Sequence, residues 1–117
     1  MAENAVLDKS YKFALRTVKL YKHLTESKKE YVLSKRLLSD GTDLGAHVKA
    51  AQEAENKAGF LHEMSVALQK SSRTDFWLQL LHESDFLDQR EFDSINADNQ
   101  ELFGLLTAIV KTSRSRQ

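Results

Sequence analysis

No proline interrupts the 117 residues, and apolar residues recur at intervals of three and four through four long stretches, so the chain is committed to helices above all else. The segments between the stretches are only a few residues long, which favours neighbours running antiparallel in up-down-up-down order. The expected fold is an all-α, antiparallel four-helix bundle. It is a single domain over residues 1–117, with helices at about 4–26, 28–54, 57–83 and 89–112.

A chain of 13.4 kDa buries roughly two thirds of its unfolded surface in one core and needs no covalent staple. None is available, because cysteine is absent, which also removes thiolate metal sites and suits a reducing compartment. The opening residues Met1-Ala2-Glu3-Asn4 lack a basic region followed by an apolar run, and no stretch approaches the roughly 18 apolar residues that span a bilayer. A cytoplasmic protein without a membrane partner is expected.

Seventeen Lys/Arg balance seventeen Asp/Glu, which argues against a strongly electrostatic nucleic-acid binder. The balance conceals an asymmetry. Residues 1–50 carry ten basic and six acidic side chains, and residues 51–117 carry seven and eleven. Two oppositely charged halves could steer copies of the chain together, or could cancel where the halves interleave in the bundle.

The first helix should place Leu7, Ser10, Tyr11, Ala14, Val18 and Tyr21 inward. Ser27 with Glu30 has the spacing of a capping box, which would start the second helix there, with Leu33, Leu37, Gly41, Leu44, Val48 and Ala51 inward. A glycine in a helix interior costs about 1 kcal/mol against alanine, so Gly41 and Gly45 point to close approach of a neighbouring helix. Asn56 is the N-cap of the third helix, whose inward stripe is Phe60, Leu61, Met64, Ala67, Leu68, Ser71, Leu78 and Leu81. After a break at Ser84-Asp85-Phe86-Leu87, Asp88 and Glu91 form an acidic capping box for the fourth helix. Its stripe is Phe92, Ile95, Asn99, Leu102, Leu106 and Ile109, and Thr112 to Gln117 form a polar tail.

Apolar side chains remain after these stripes are filled. Val66, Trp77 and Leu80 of the third helix fall on a second strip with Arg73 between them, and Phe13 and Leu20 lie off the centre of the first helix's stripe. Phe13, Leu20, Val66, Arg73, Trp77 and Leu80 are therefore the candidate oligomer interface, with Trp77 as its anchor, since tryptophan is enriched at such positions. The alternative is the wide flank of an ordinary globular helix. Lys9, Lys12, Arg16, Lys19 and Lys22 gather on the outward side of the first helix, a candidate nucleic-acid-binding stripe that repetition around an oligomer would turn into a belt. The alternative there is a solvated face.

Catalytic and metal-binding constellations are missing. None of His23, His47, His62 and His82 is preceded by glutamate at three residues, as a di-iron bundle requires. His62-Glu63 and His82-Glu83 lack the second histidine of a zinc protease helix. Asp43 and His47, four apart, would share a helix-surface hydrogen bond more readily than act as a base pair. No catalytic residue, metal site or cofactor is expected, and no enzymatic activity.

The segment Ser65-Val66-Ala67-Leu68, then Thr74-Asp75-Phe76-Trp77-Leu78-Gln79-Leu80-Leu81, then Phe86-Leu87 resembles the bacterial four-helix bundle family of proteins encoded within intervening sequences of 23S ribosomal RNA genes. The relatives of that family include the accessory variability proteins of diversity-generating retroelements. Gly45-Ala46 followed by Val48, and Ile109-Val110-Lys111-Thr112, resemble its second-helix and closing signatures. The resemblance implies a protomer that assembles into a ring, typically a homopentamer with a central channel, and in the retroelement branch a scaffold for reverse transcriptase and nucleic acid. Lys70-Ser71-Ser72-Arg73 stands where the family usually shows Glu-Ala-Arg-Glu, which is expected to remove a charged network. The expected function is a non-enzymatic homo-oligomeric scaffold whose basic stripe contacts RNA or an RNA-handling protein. The alternative is a protein interaction module with no nucleic-acid role.

Overall fold

The computed structural model describes residues 2–116, with side chains from residue 5 onwards. Met1 and Gln117, the ends of the expected domain, lie outside the described residues. The described residues form four helices, α1 (Ala2–Glu26), α2 (Leu33–Gln52), α3 (Lys57–Glu83) and α4 (Gln89–Ser115). Among the described residues there is no strand, and no helix is long and apolar enough to cross a membrane. Each helix packs on its two neighbours, α1 on α2, α2 on α3, α3 on α4 and α4 back on α1, while diagonal pairs do not meet. The result is a four-helix bundle 46 Å long and 20 Å across.

Two helix starts follow the caps read in the sequence. The Asn56 side chain accepts the Gly59 N–H, and Asp88 and Glu91 exchange both bonds of a capping box. The third cap differs. Ser27 does not open α2, because its N–H and that of Lys28 donate to the His23 carbonyl and close α1 instead. The chain then turns through Lys29 at φ 57°, and α2 begins at Leu33, five residues later than the expected 28. Glu30 makes the start: its carboxylate accepts the N–H groups of Val32, Leu33 and Ser34 at 3.1, 2.9 and 2.6 Å. Those are donors a helix N-terminus would otherwise leave unmatched. α4, by contrast, continues to Ser115, through four of the six residues of the expected tail.

The stripes of α2, α3 and α4 bury as expected, with Leu37, Leu44, Val48, Met64, Ala67, Leu78, Leu81, Ile95, Leu102 and Leu106 at the centre of the core. α1 is rotated from its expected orientation. Its buried positions are Val6, Ser10, Phe13, Thr17 and Leu24, whereas Tyr11 is 64% exposed. Two apolar stripes run side by side on this helix, and two hydroxyl residues disguise the one that faces inward. Ser10 and Thr17 are small because α2 comes close: a Cβ added at Gly41 would meet Thr17 at 2.8 Å, and one at Gly45 would meet the Ser10 carbonyl at 3.2 Å. Their hydroxyls are satisfied within α1, at the Leu7 and Phe13 carbonyls.

This contact gives a paired expectation. Gly41→Ala gains about 1 kcal/mol in helix propensity but loses about 1–3 kcal/mol to overpacking, because Thr17 is buried and pinned. A methyl group added at Gly104 would meet nothing within 4 Å, so Gly104→Ala should stabilise by about 0.5–1 kcal/mol. Urea titration of the two variants should therefore move the midpoint in opposite directions. Across the bundle, Ser71 Oγ donates to Asn99 Oδ1 at 2.9 Å and Asn99 Nδ2 returns a bond to the Ser71 carbonyl. This buried pair has no partner at other registers, so it fixes α3 against α4.

Candidate oligomer interface

The structure divides the six expected interface residues. Phe13 is 1% exposed and belongs to the core of its own protomer, so it is unavailable to another chain. Leu20 is partly buried against the same core. Both corrections follow from the rotation of α1, which turns inward two residues expected on its flank. Val66 is half-buried, Arg73 is exposed, and Trp77 is half-buried against the core. Leu80 is 36% exposed, and Phe76, absent from the expected set, is 59% exposed.

Trp77 is thus a partly internal residue with an ordered surrounding. Its indole N–H donates to Asp40 Oδ2 at 2.7 Å, the Arg36 guanidinium sits 5.5 Å from its ring centroid, and the Phe76 ring meets it edge-on at 5.1 Å. The apolar strip on α3 is accordingly Phe76 and Leu80 at the surface, with Trp77 as their inner wall. A second strip lies on α1, where Tyr11 and Leu15 are exposed and Leu7, Ala14, Val18 and Tyr21 are half-buried. Of these, Leu7, Tyr11, Ala14, Val18 and Tyr21 belong to the stripe expected to face inward, whose remaining member, Ser10, is buried. The surplus of apolar residues on α1 is as the sequence indicates, but its two stripes exchange sides.

Each strip lies on the outer side of its helix, with Leu15 and Phe76 nearly opposite the buried positions. On α1, Ser10 and Thr17 face the glycines of α2 while Lys9 and Arg16 reach α4, and steps of 100° per residue place Tyr11 and Val18 beyond the α2 side. On α3, Arg73 and Trp77 reach Asp40 of α2 while Asp75 meets Gln100 of α4. Leu80 lies outward on the α2 side, and Phe76 points away from both neighbouring helices.

The basic stripe on α1 is largely consumed within the protomer. Lys9 pairs with Glu101 at 3.1 Å, Lys12 with Asp8 at 3.1 Å, and Arg16 with Asp98 at 2.6 Å. Arg16 also donates to the Ser94 carbonyl and hydroxyl, so Lys9 and Arg16 clasp α1 to α4. Among the described residues, Lys19 and Lys22 have no carboxylate within ion-pair distance. Lys19 borders a cleft of about 640 Å³ between α1 and α4 that is also lined by Arg16, His23, Asp88, Arg90 and Glu91. Both acids of that cleft are engaged in the α4 capping box.

The charged network expected to be missing is present in another form. Lys70 Nζ lies 3.5 Å from Asp40 Oδ1 and 3.4 Å from Asp43, and Arg73 Nε donates to Asp40 Oδ2 at 3.0 Å. Lys70 and Arg73 of α3 thus find their partners on α2. Asp43 and His47 therefore do not pair with each other: His47 Nδ1 is 2.7 Å from Glu63 of α3. His82 is stacked on Phe92, its Nδ1 3.0 Å from the Leu87 carbonyl. Among the described residues no group of three or more His, Asp and Glu side chains could hold a metal ion.

Residues 2–108 match the family described as 23S rRNA-intervening sequence protein. Among solved structures, a protein of unknown function from the S23 ribosomal protein family of Bacteroides thetaiotaomicron superposes with a TM-score of 0.93 at 40% identity, over 95% of this chain and 99% of that one. No curated protein matches the chain.

Proposed function

The chain belongs to the family of 23S rRNA-intervening sequence proteins, and from that premise we propose that it is a non-enzymatic scaffold, assembled from several copies in a closed ring, with five as the expected number. One observation carries this reading: two separate apolar strips, Phe76 with Leu80 on α3 and Tyr11 with Leu15 on α1, stand exposed on diagonal helices. A two-fold dimer covers one patch with its own copy, whereas two unlike patches favour head-to-tail contact, one strip of each protomer seated on the other strip of the next. Head-to-tail contact of this kind closes into a ring when the rotation from one copy to the next divides a full turn. In this reading His47 and His82 hold structure together, His47 tying α2 to Glu63 of α3 and His82 holding the Leu87 carbonyl before α4. The work of a cytoplasmic scaffold is to present surfaces.

A mixing experiment tests it. Leu15→Glu should disable one strip and Leu80→Glu the other, each leaving a folded protomer of 13.4 kDa. Mixed together, the two variants retain one intact pairing and should form a one-to-one dimer that cannot grow. Two variants that stay monomeric on mixing, or that each assemble fully alone, would refute the head-to-tail arrangement.

Contact with RNA is a second reading, favoured by Lys19 and Lys22, which no carboxylate neutralises among the described residues. Neutralising about two phosphates per protomer gives weak binding alone and strongly salt-dependent binding when repeated around a ring. Lys19→Glu with Lys22→Glu should abolish retention of single-stranded RNA at low salt while leaving assembly mass unchanged. If the unaltered protein retains no RNA at low salt, the scaffold has no nucleic-acid role and serves protein partners alone.

A further inference from the structure

Asp40 of α2 is almost fully enclosed, with 4% of its side chain exposed. Its position has a specific neighbourhood. Three residues of one α3 face, Lys70, Arg73 and Trp77, converge on its two oxygens, and the shortest of these contacts is the indole N–H of Trp77 at 2.7 Å. Asp43 shares Lys70, and Arg36 of α2 covers the Trp77 ring. With the N–H tied inward, one side under a guanidinium and an edge against Phe76, the ring has a single orientation before any second chain arrives.

We propose that Asp40 is a positioning residue for self-association: it does not meet the neighbouring copy but holds Trp77, and through it Phe76, in the orientation that the contact requires. This rests on the assembly reading above. Ordering a large side chain at the moment of binding weakens association, and a group that orders it beforehand removes that penalty. A buried carboxylate is costly unless its oxygens are occupied, and here the occupants are the polar ends of the residues that frame the exposed strip. Asp40 therefore serves the surface, through the oxygen that accepts the indole N–H, as well as the α2–α3 seam.

The test compares Asp40→Ala and Asp40→Asn with the unaltered chain. Asp40→Ala should remain helical, shift Trp77 emission to longer wavelength, raise its quenching by acrylamide, and weaken assembly by about tenfold in dissociation constant. Asp40→Asn keeps an oxygen that accepts the indole N–H and should restore most of both properties. Trp77→Phe lacks the N–H, so adding Asp40→Ala to it should cost much less assembly than Asp40→Ala alone. Additive losses would mean that Asp40 only supports the fold and would overturn the proposal, as would an Asp40→Ala protein that assembles as tightly as the unaltered one. Both results leave the assembly reading standing, whereas an unaltered chain that never associates removes that reading and this one together. If Asp40→Ala does not fold, Asp40→Ser, whose shorter side chain cannot reach the indole N–H, takes its place in the same cycle with Trp77→Phe, and additive losses there overturn the proposal.

Discussion

Trp77→Ala should leave the protein as separate protomers and lower the stability of each protomer by about 3 kcal/mol, near the low end for removal of a large aromatic because the ring is only half-buried. The two effects have different origins. Stability falls because the ring packs against the core and its N–H occupies Asp40, so truncation leaves both a void and a carboxylate with one donor fewer. Assembly falls because Phe76 loses the ring that it meets edge-on and Leu80 loses the wall beside it. Trp77→Phe should separate the contributions, retaining most of the packing while losing the hydrogen bond. Sedimentation velocity reads the assembly effect, and urea unfolding at fixed protomer concentration reads the loss of stability. An alanine variant that sediments like the unaltered chain would show that the α3 strip is not a contact between copies.

Glu30→Ala should lower stability by a comparable amount, at the N-terminus of α2. It removes one carboxylate from three backbone donors of the α2 N-terminus. Hydrogen bonds to a charged group contribute about 1.5–3 kcal/mol each, but exposed Val32 and half-buried Leu33 can turn to water, so a net loss of about 2–3 kcal/mol is expected. The midpoint of thermal unfolding should fall by on the order of 10 °C. A pH dependence accompanies it. Burial acts to raise the Glu30 carboxyl, but the bonds from Leu33, Ser34 and Val32, with the Ser34 side chain, together hold it below the ordinary glutamate range. A group whose pKa is lower folded than unfolded stabilises above its unfolded value and loses that contribution as pH falls through the folded value. The unaltered chain should therefore lose stability below about pH 4.3 more steeply than Glu30→Gln, which has no charge to lose. Parallel acid unfolding curves would remove Glu30 as the group responsible.

Most of the bundle is legible in the sequence because the relevant signals are local. Asn56 and Asp88 announce α3 and α4 through side chains that reach their own backbone, and the stripes of α2, α3 and α4 are dominated by residues too large and apolar to be elsewhere. What escapes a sequence reading depends on a neighbour. The inward side of α1 carries Ser10 and Thr17 because α2 has glycine at the facing positions. A periodicity count favours the apolar stripe one residue away, with Tyr11 and Val18. Spacing marks Glu30 as a capping residue but pairs it with Ser27, because its actual bonds require the left-handed Lys29, which spacing does not reveal. Asp40 carries no local sign of burial, and only the α3 residues Lys70, Arg73 and Trp77 explain it. The ion pairs of the basic stripe are hidden for the same reason: Lys9 and Arg16 are spaced as a surface row, but α4 offers Glu101 and Asp98 beside them.

The mass of the unaltered chain in solution, measured by light scattering behind a sizing column, bears most directly on self-assembly. A protomer of 13.4 kDa with two unlike apolar strips should elute as one species at an integer multiple of that mass, five being the expected multiple, and should hold that mass on moderate dilution. A single species of protomer mass at every concentration tried would contradict it.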